Sequence, residues 1–158
     1  MFYNNRMPIY FQPATSADIE LLLGFMRQFY EIDHYPFDEQ IAREALDGII
    51  ADRSLGRVWV IREESSPVGY IVLTLGYSLE FHGRDAFIDE FYIQESHRGR
   101  GLGKEAIKLV EEACREEGVH ALHLEVERNN RAAQALYNKF GFEEHDRYLM
   151  TKWVKRER

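Results

Sequence analysis

The segment Ile93–Ala106, IQESHRGRGLGKEA, sets Gly99, Gly101 and Gly103 at alternate positions, with Arg98, Arg100 and Lys104 among and beside them. Glycine loses more backbone freedom on folding than any other residue, so this spacing implies a conformational or close-approach requirement. An apolar run precedes the segment and a helix-like pattern follows it. Exposed N–H groups at the start of such a helix, with the positive end of its dipole, attract anions. The three basic side chains add charge that suits a phosphate. The chemistry on offer is a pyrophosphate cradle; the plainer alternative is a tight turn carrying solvated basic residues.

Two nucleotide motifs come close to this segment. A P-loop requires G-x-x-x-x-G-K-[ST], but Gly103-Lys104 is followed by Glu105 and Arg98 stands where the first glycine belongs, so that motif fails. Gly101–Ala106 does fit the dinucleotide fingerprint G-x-G-x-x-A. It arrives late in the chain, however, and too little sequence follows to build the rest of a doubly wound nucleotide fold.

The elements that must hold the loop can be read from periodicity. Ile9–Pro13 reads as a strand, and Thr15–Asp18 supplies capping side chains for a helix over 16–31 with Ile19, Leu22, Leu23, Met26 and Phe29 on one face. Pro36 breaks it. A second helix opens at Phe37-Asp38 and presents Ile41, Ala45 and Ile49. Strands follow at 57–62, 68–80 and 85–93, the last leading into the glycine loop. A helix over 101–117 stops at Gly118. A strand at 121–127, a helix at 130–140 and a more polar last strand at 143–154 complete an α/β pattern: a mixed sheet covered by helices.

Bulk properties set further limits. The chain has 158 residues, enough for one compact domain spanning 1–158. Twenty basic against 27 acidic residues give a net charge of -7. That argues against nucleic acid as a main partner and is compatible with a cationic small substrate. Cys114 is the only cysteine, so no intrachain disulfide can form, and a reducing, cytoplasmic setting is expected. The opening MFYNNRMPIYF has neither the apolar core nor the cleavage pattern of a signal peptide, and no apolar run reaches membrane-spanning length.

Taken together, the motifs resemble the GNAT superfamily of N-acetyltransferases. Arg98–Gly103 fits [Q/R]-x-x-G-x-[G/A], and Phe91-Tyr92-Ile93 stands at that family's strand end. Glu95 departs from a common proline. Asn130–Tyr137 fits N-x-x-A-x-x-L-Y, and Gly141-Phe142 completes the ending. The resemblance implies a mixed, mostly antiparallel central sheet with helices on both faces and acetyl-CoA as acyl donor, with no metal. It implies that backbone N–H groups from Arg98 through Gly99, Arg100, Gly101 and Gly103 to Lys104 hold the pyrophosphate. Phe91, Tyr92 and Ile93 would form the strand end along which pantetheine pairs, chiefly through the backbone of Phe91 and Ile93. Asn130 would bond the pantetheine arm, and Tyr137 would protonate the leaving thiolate. Members often form homodimers, although no segment here marks an interface.

The acceptor side needs a base. An amine of pKa ~10.4 is only ~0.04% neutral at pH 7, and preparing the attacking form costs ~4.6 kcal/mol. Asp89 and Glu90 are the carboxylates on the strand. In a regular strand they point to opposite faces, so one alone would meet the cleft; we favour Glu90 slightly, and a bulge could re-aim either. Tyr30, Glu31, Asp33 and Tyr35 from the helix break, with Tyr77 and Glu80 from the long strand, form a candidate acceptor wall that is acidic and aromatic. Such a wall suits a cation. A polyamine, an aminated sugar or a lysine-like amine is expected, and Ile88–Ile93 also resembles the matching strand of diamine acetyltransferases. Protein N-termini or lysines, and acyl-CoA binding without turnover, are the alternatives. With no cysteine in the motifs, direct transfer is expected, and Cys114 reads as a packing residue.

Overall fold

The computed structural model describes residues 8–155. The opening residues 1–7, part of the segment that lacks a signal-peptide pattern, lie outside them. The chain divides into two compact units, one up to Glu125 and one from Val126 onward.

The first unit is built on a five-stranded sheet of order β1-β2-β3-β4-β5: β1 (Ile9–Pro13), β2 (Gly56–Glu63), β3 (Ser66–Ser78), β4 (Gly83–Ile93) and β5 (Ala121–Leu124). The first four strands run antiparallel and β5 runs parallel to β4, giving the expected mixed, mostly antiparallel sheet. The parallel step requires a crossover, and α3 (Leu102–Glu116) supplies it.

Helix α1 (Ile19–Ile32) begins beyond the Thr15–Asp18 capping box and lays Leu22, Leu23, Phe25 and Met26 on Val58, Val60, Tyr70, Val72 and Tyr92. Helix α2 (Glu39–Ala51), capped by Asp38 through the Ile41 N–H, adds Ala42 and Leu46 to the same core. On the opposite face Leu102 of α3 packs with Ile61, Val68, Phe91 and Ile93. Neighbours such as Val60 and Ile61 thus serve different layers, as the two-residue period of a strand requires.

Two irregularities re-aim side chains. Opposite Ile61 and Arg62, β3 carries Val68 as an extra residue, and Val68 turns to the α3 face. Opposite Val72 and Leu73, β4 carries Asp89 as the extra residue. Leu73 faces Ile88 and Val72 faces Glu90, so Ile88 and Glu90 lie on opposite faces although two residues apart.

The second unit contains α4 (Arg131–Lys139). The strand expected over 143–154 does not form: the described residues there carry no strand, and Tyr148, Leu149, Met150, Trp153 and Val154 are exposed. Tyr148, Thr151, Trp153 and Val154 lend that segment strand propensity, but a strand needs a paired edge that propensity does not specify.

Candidate active site

The bulge decides which carboxylate enters the α1 layer. With Asp89 looped out, Glu90 opposes Val72 and lies beneath α1. The Tyr70 hydroxyl donates to Glu90 Oε1 at 2.8 Å, and the Tyr30 hydroxyl donates to Oε2. Tyr70 is fully buried, whereas Tyr30 and Glu90 are half-buried. Burial raises the Glu90 carboxyl above the usual carboxylate range; the two phenol hydrogen bonds oppose that shift and the charge of Asp89 adds to it. Asp89 is solvent-accessible, yet partial desolvation raises its carboxyl as well. Both phenols are pushed upward, first by burial and then by the Glu90 charge, so both stay protonated donors.

The helix break positions Tyr30. His34 takes a left-handed φ of 57°, and the Tyr35 N–H returns to the Tyr30 carbonyl at 2.9 Å. That turn sets the Tyr35 ring edge-to-face with Tyr30, while Phe37 packs on Tyr30 from the α2 side. Glu31, Asp33 and Tyr35 are exposed around the break. Glu80 follows beyond the end of β3, and Tyr77 stands apart from this group. Tyr77 lies five residues beyond Val72, ~17 Å along the strand at its usual rise, and is 78% exposed.

A cavity of about 500 Å³ opens between the end of α1 and the end of β4, lined by Gln28, Glu31 and Ile32 on one side and Tyr92, Gln94 and Glu95 on the other. Glu31 and Glu95 contribute carboxylates to its lining, and Arg98 lies over the Tyr92 ring.

Beyond Ile88, β4 leaves β5: the parallel ladder covers only Asp85–Ile88, and among the described residues Asp89–Ile93 has no strand partner on that side. The Gln94 N–H donates to the Val68 carbonyl of β3, and the Tyr92 carbonyl points at Gly69 so closely that a Cβ there would meet it at 2.1 Å. By alternation, the backbone groups of Phe91 and Ile93 turn to the open side. Tyr92 departs from the expectation for that strip. Its backbone serves β3, its ring is buried among Phe25, Phe29 and Tyr70, and its hydroxyl donates to Gln28 Oε1 at 2.9 Å.

The glycine loop has the conformation that its sequence demands. Gly99 and Gly101 take φ of +75° and +83°, and a Cβ on either would meet nothing within 4 Å. Backbone handedness, rather than a protein neighbour, requires glycine at these two positions. Gly101 is the N-cap of α3, and no side chain caps the helix, so its first N–H groups face outward. Gly103 and Lys104 follow in the first turn. The two arginines are engaged by protein. Arg98 donates from Nε to the Ile93 carbonyl at 2.8 Å and lies over the Tyr92 ring. Arg100 pairs with Glu63 at 3.1 Å, and His97 Nε2 lies 3.3 Å from the same carboxylate. Both arginines thereby tie the loop to the sheet.

In the second unit, Asn130 caps α4, accepting from the Ala133 N–H at 3.1 Å, which leaves its amide NH2 free of the cap. Tyr137 is half-buried, its ring edge-to-face with Phe142, and burial raises its phenol, so it is a protonated donor at neutral pH.

Sequence reasoning did not single out Tyr70, Gln28 or Glu63. Tyr70 reads as an ordinary core aromatic until the hairpin register and its bulge are known; Glu63 would have required the tertiary approach of β2 to the loop.

The fold and these motifs define an acetyltransferase of the GNAT type. The family model for the GNAT acetyltransferase family matches residues 20–142, and the chain belongs to that family; by class it is an acetyl-CoA-dependent N-acyltransferase. It is 32% identical over 138 residues to thialysine N-epsilon-acetyltransferase of Sus scrofa, covering 81% of this chain and 80% of that protein. A 69-residue stretch is 36% identical to the uncharacterized N-acetyltransferase YycN of Bacillus subtilis (strain 168), 44% of each chain. Among solved structures, the integron cassette protein HFX_CASS3 from the mobile metagenome of Cole Harbour Salt Marsh superposes with a TM-score of 0.83 at 32% identity, covering 99% of this chain and 97% of that one.

Proposed function

We propose that the protein moves an acetyl group from acetyl-CoA directly to the primary amine of a small cationic acceptor, a polyamine or a lysine-like amine. The observation that carries this reading is Glu90: a half-buried carboxylate, held by two phenols, on the stretch of β4 whose far edge is open. Acetyl-CoA supplies an activated thioester acetyl. Its pyrophosphate would be held by the N–H groups from Arg98 to Lys104, and its pantetheine by the backbone of Phe91 and Ile93. Asn130, by its motif, would offer its amide to the same arm.

Glu90 takes the proton from the acceptor ammonium. Its raised pKa narrows the gap to the amine, and Asp89 beside it favours a cation. Tyr137, kept protonated by burial, would by its motif donate to the departing thiolate. The carboxylates of Glu31 and Glu95 in the cavity at the end of α1 could pair with a second cationic group. The similarity to a thialysine N-epsilon-acetyltransferase supports a lysine-like side-chain amine as acceptor. The single buried Cys114 supports a reducing, cytoplasmic setting.

The test is mass-spectrometric detection of N-acetylated product after incubation with acetyl-CoA and a mixture of free polyamines, lysine analogues and short peptides. Acetylated free amines are expected. Product confined to peptides would replace this reading with a protein acetyltransferase.

A further inference from the structure

We propose that Tyr70, assisted by Tyr30, is a positioning residue for Glu90: the two phenols hold its carboxylate ionised and aimed from the α1 face of β4. The inference rests on the reading of Glu90 as the base and adds the groups that make it competent.

Three observations carry it. Each carboxylate oxygen has its own phenol donor, Tyr70 on Oε1 at 2.8 Å and Tyr30 on Oε2. The donors come from different elements, β3 and α1, so the carboxylate is fixed from two directions. The Asp89 bulge is what presents Glu90 to them; in a regular strand Glu90 would share the face of Ile88. Tyr70 is fully buried and cannot touch an acceptor as a wall residue, so its hydroxyl acts through Glu90. Tyr30, expected as part of the acceptor wall, commits its hydroxyl to the same carboxylate.

The groups that face Glu90 are Tyr30 from α1, Tyr70 from β3 and Asp89 from β4. Burial and Asp89 favour its protonated form, and the two phenols favour the ionised form. Removing one phenol hydroxyl therefore raises the Glu90 pKa. Hydrogen bonds to a charged group are worth enough to shift it by ~1 pH unit each.

The experiment compares wild type, Tyr70→Phe, Tyr30→Phe and Glu90→Gln. It combines the pH profile of kcat/KM with a carbon-13 carboxyl NMR titration, in which the Glu90 signal is assigned by its loss in Glu90→Gln. Each Phe variant is expected to raise the titration midpoint and the acid limb of activity together by ~1 pH unit, with KM for acetyl-CoA unchanged. A titration midpoint within 0.3 units of wild type in Tyr70→Phe, whatever its activity or melting temperature, would overturn the positioning role. If the NMR midpoint moves while Glu90→Gln keeps the wild-type acid limb, the positioning stands and the base assignment fails. Each failure is thus read separately.

Discussion

Replacing Glu90 by Gln removes the proposed base while keeping side-chain volume and an acceptor for the Tyr70 hydroxyl. At pH 7 the acceptor amine lies ~4.6 kcal/mol from its neutral form. General-base assistance typically contributes ~10²–10⁴-fold, or ~2.7–5.4 kcal/mol at 1.36 kcal/mol per decade. Asp89 is the adjoining carboxylate and its pKa is also raised, so it can replace part of this assistance. The expected loss in kcat/KM is therefore at the lower end, ~10²–10³-fold. The pH dependence changes shape as well. Without the base, only amine that is already neutral reacts, so log kcat/KM should climb by ~1 per pH unit toward the amine's own pKa. The assay is release of free CoA read with a thiol reagent. Cys114 will not interfere, because it is buried and its thiol is pushed up to about 11. A Glu90→Gln enzyme within threefold of wild type at pH 7, with an unchanged profile, would refute the assignment.

Other outcomes follow from the same geometry. Gly101→Ala forces a side chain into a left-handed φ of +83° at a cost of ~1–2 kcal/mol, with open space around the new methyl. Calorimetry should show acetyl-CoA affinity reduced ~5- to 30-fold, because the loop relaxes and re-aims its N–H groups. Glu63→Gln frees Arg100 and His97 from their shared carboxylate. At the ~0.5–1 kcal/mol of a partly exposed ion pair, KM for acetyl-CoA should move two- to fivefold with kcat retained; a matching fall in kcat would contradict a role confined to the loop. Stability has a defined sign. The folded pKa of Glu90 is raised, so its contribution is fully present below the ordinary carboxylate value and is lost as pH rises through the raised one. The melting temperature of Glu90→Gln relative to wild type should therefore increase with pH across that window, and a decrease would contradict the burial argument.

Much of this site is local and therefore legible in the sequence. The glycine corner, the helix behind it and the helix break at Asp33–Pro36 depend on backbone preferences of short segments, and they form as read. Five of the six expected strands are also legible, because short runs of β-branched and aromatic residues bounded by turn residues mark them, although the one expected over 121–127 keeps only Ala121–Leu124. What escapes is pairing. Whether Asp89 or Glu90 enters the α1 layer depends on one extra residue in the β3–β4 ladder, and nothing in DAFIDEFYI reveals where that residue loops out. Tyr70 becomes a partner of Glu90 only through that register. Arg98 and Arg100 read as free charges for a phosphate, yet the structure gives both protein partners, since an unsatisfied carbonyl at Ile93 and the Glu63 carboxylate lie within reach. Residues 143–154 were expected to form a strand on propensity alone, and strand formation needs an edge as well.

The most direct measurement is the steady-state kcat/KM for acetyl-CoA-dependent CoA release across free polyamines, thialysine and lysine, aminoglycosides, and peptides with free N-termini. A free di- or polyamine or a lysine-like amine should exceed every peptide, with Glu90→Gln suppressing that activity. Turnover only with peptides, or none with any amine while acetyl-CoA still raises the melting temperature, would contradict a small-amine acetyltransferase.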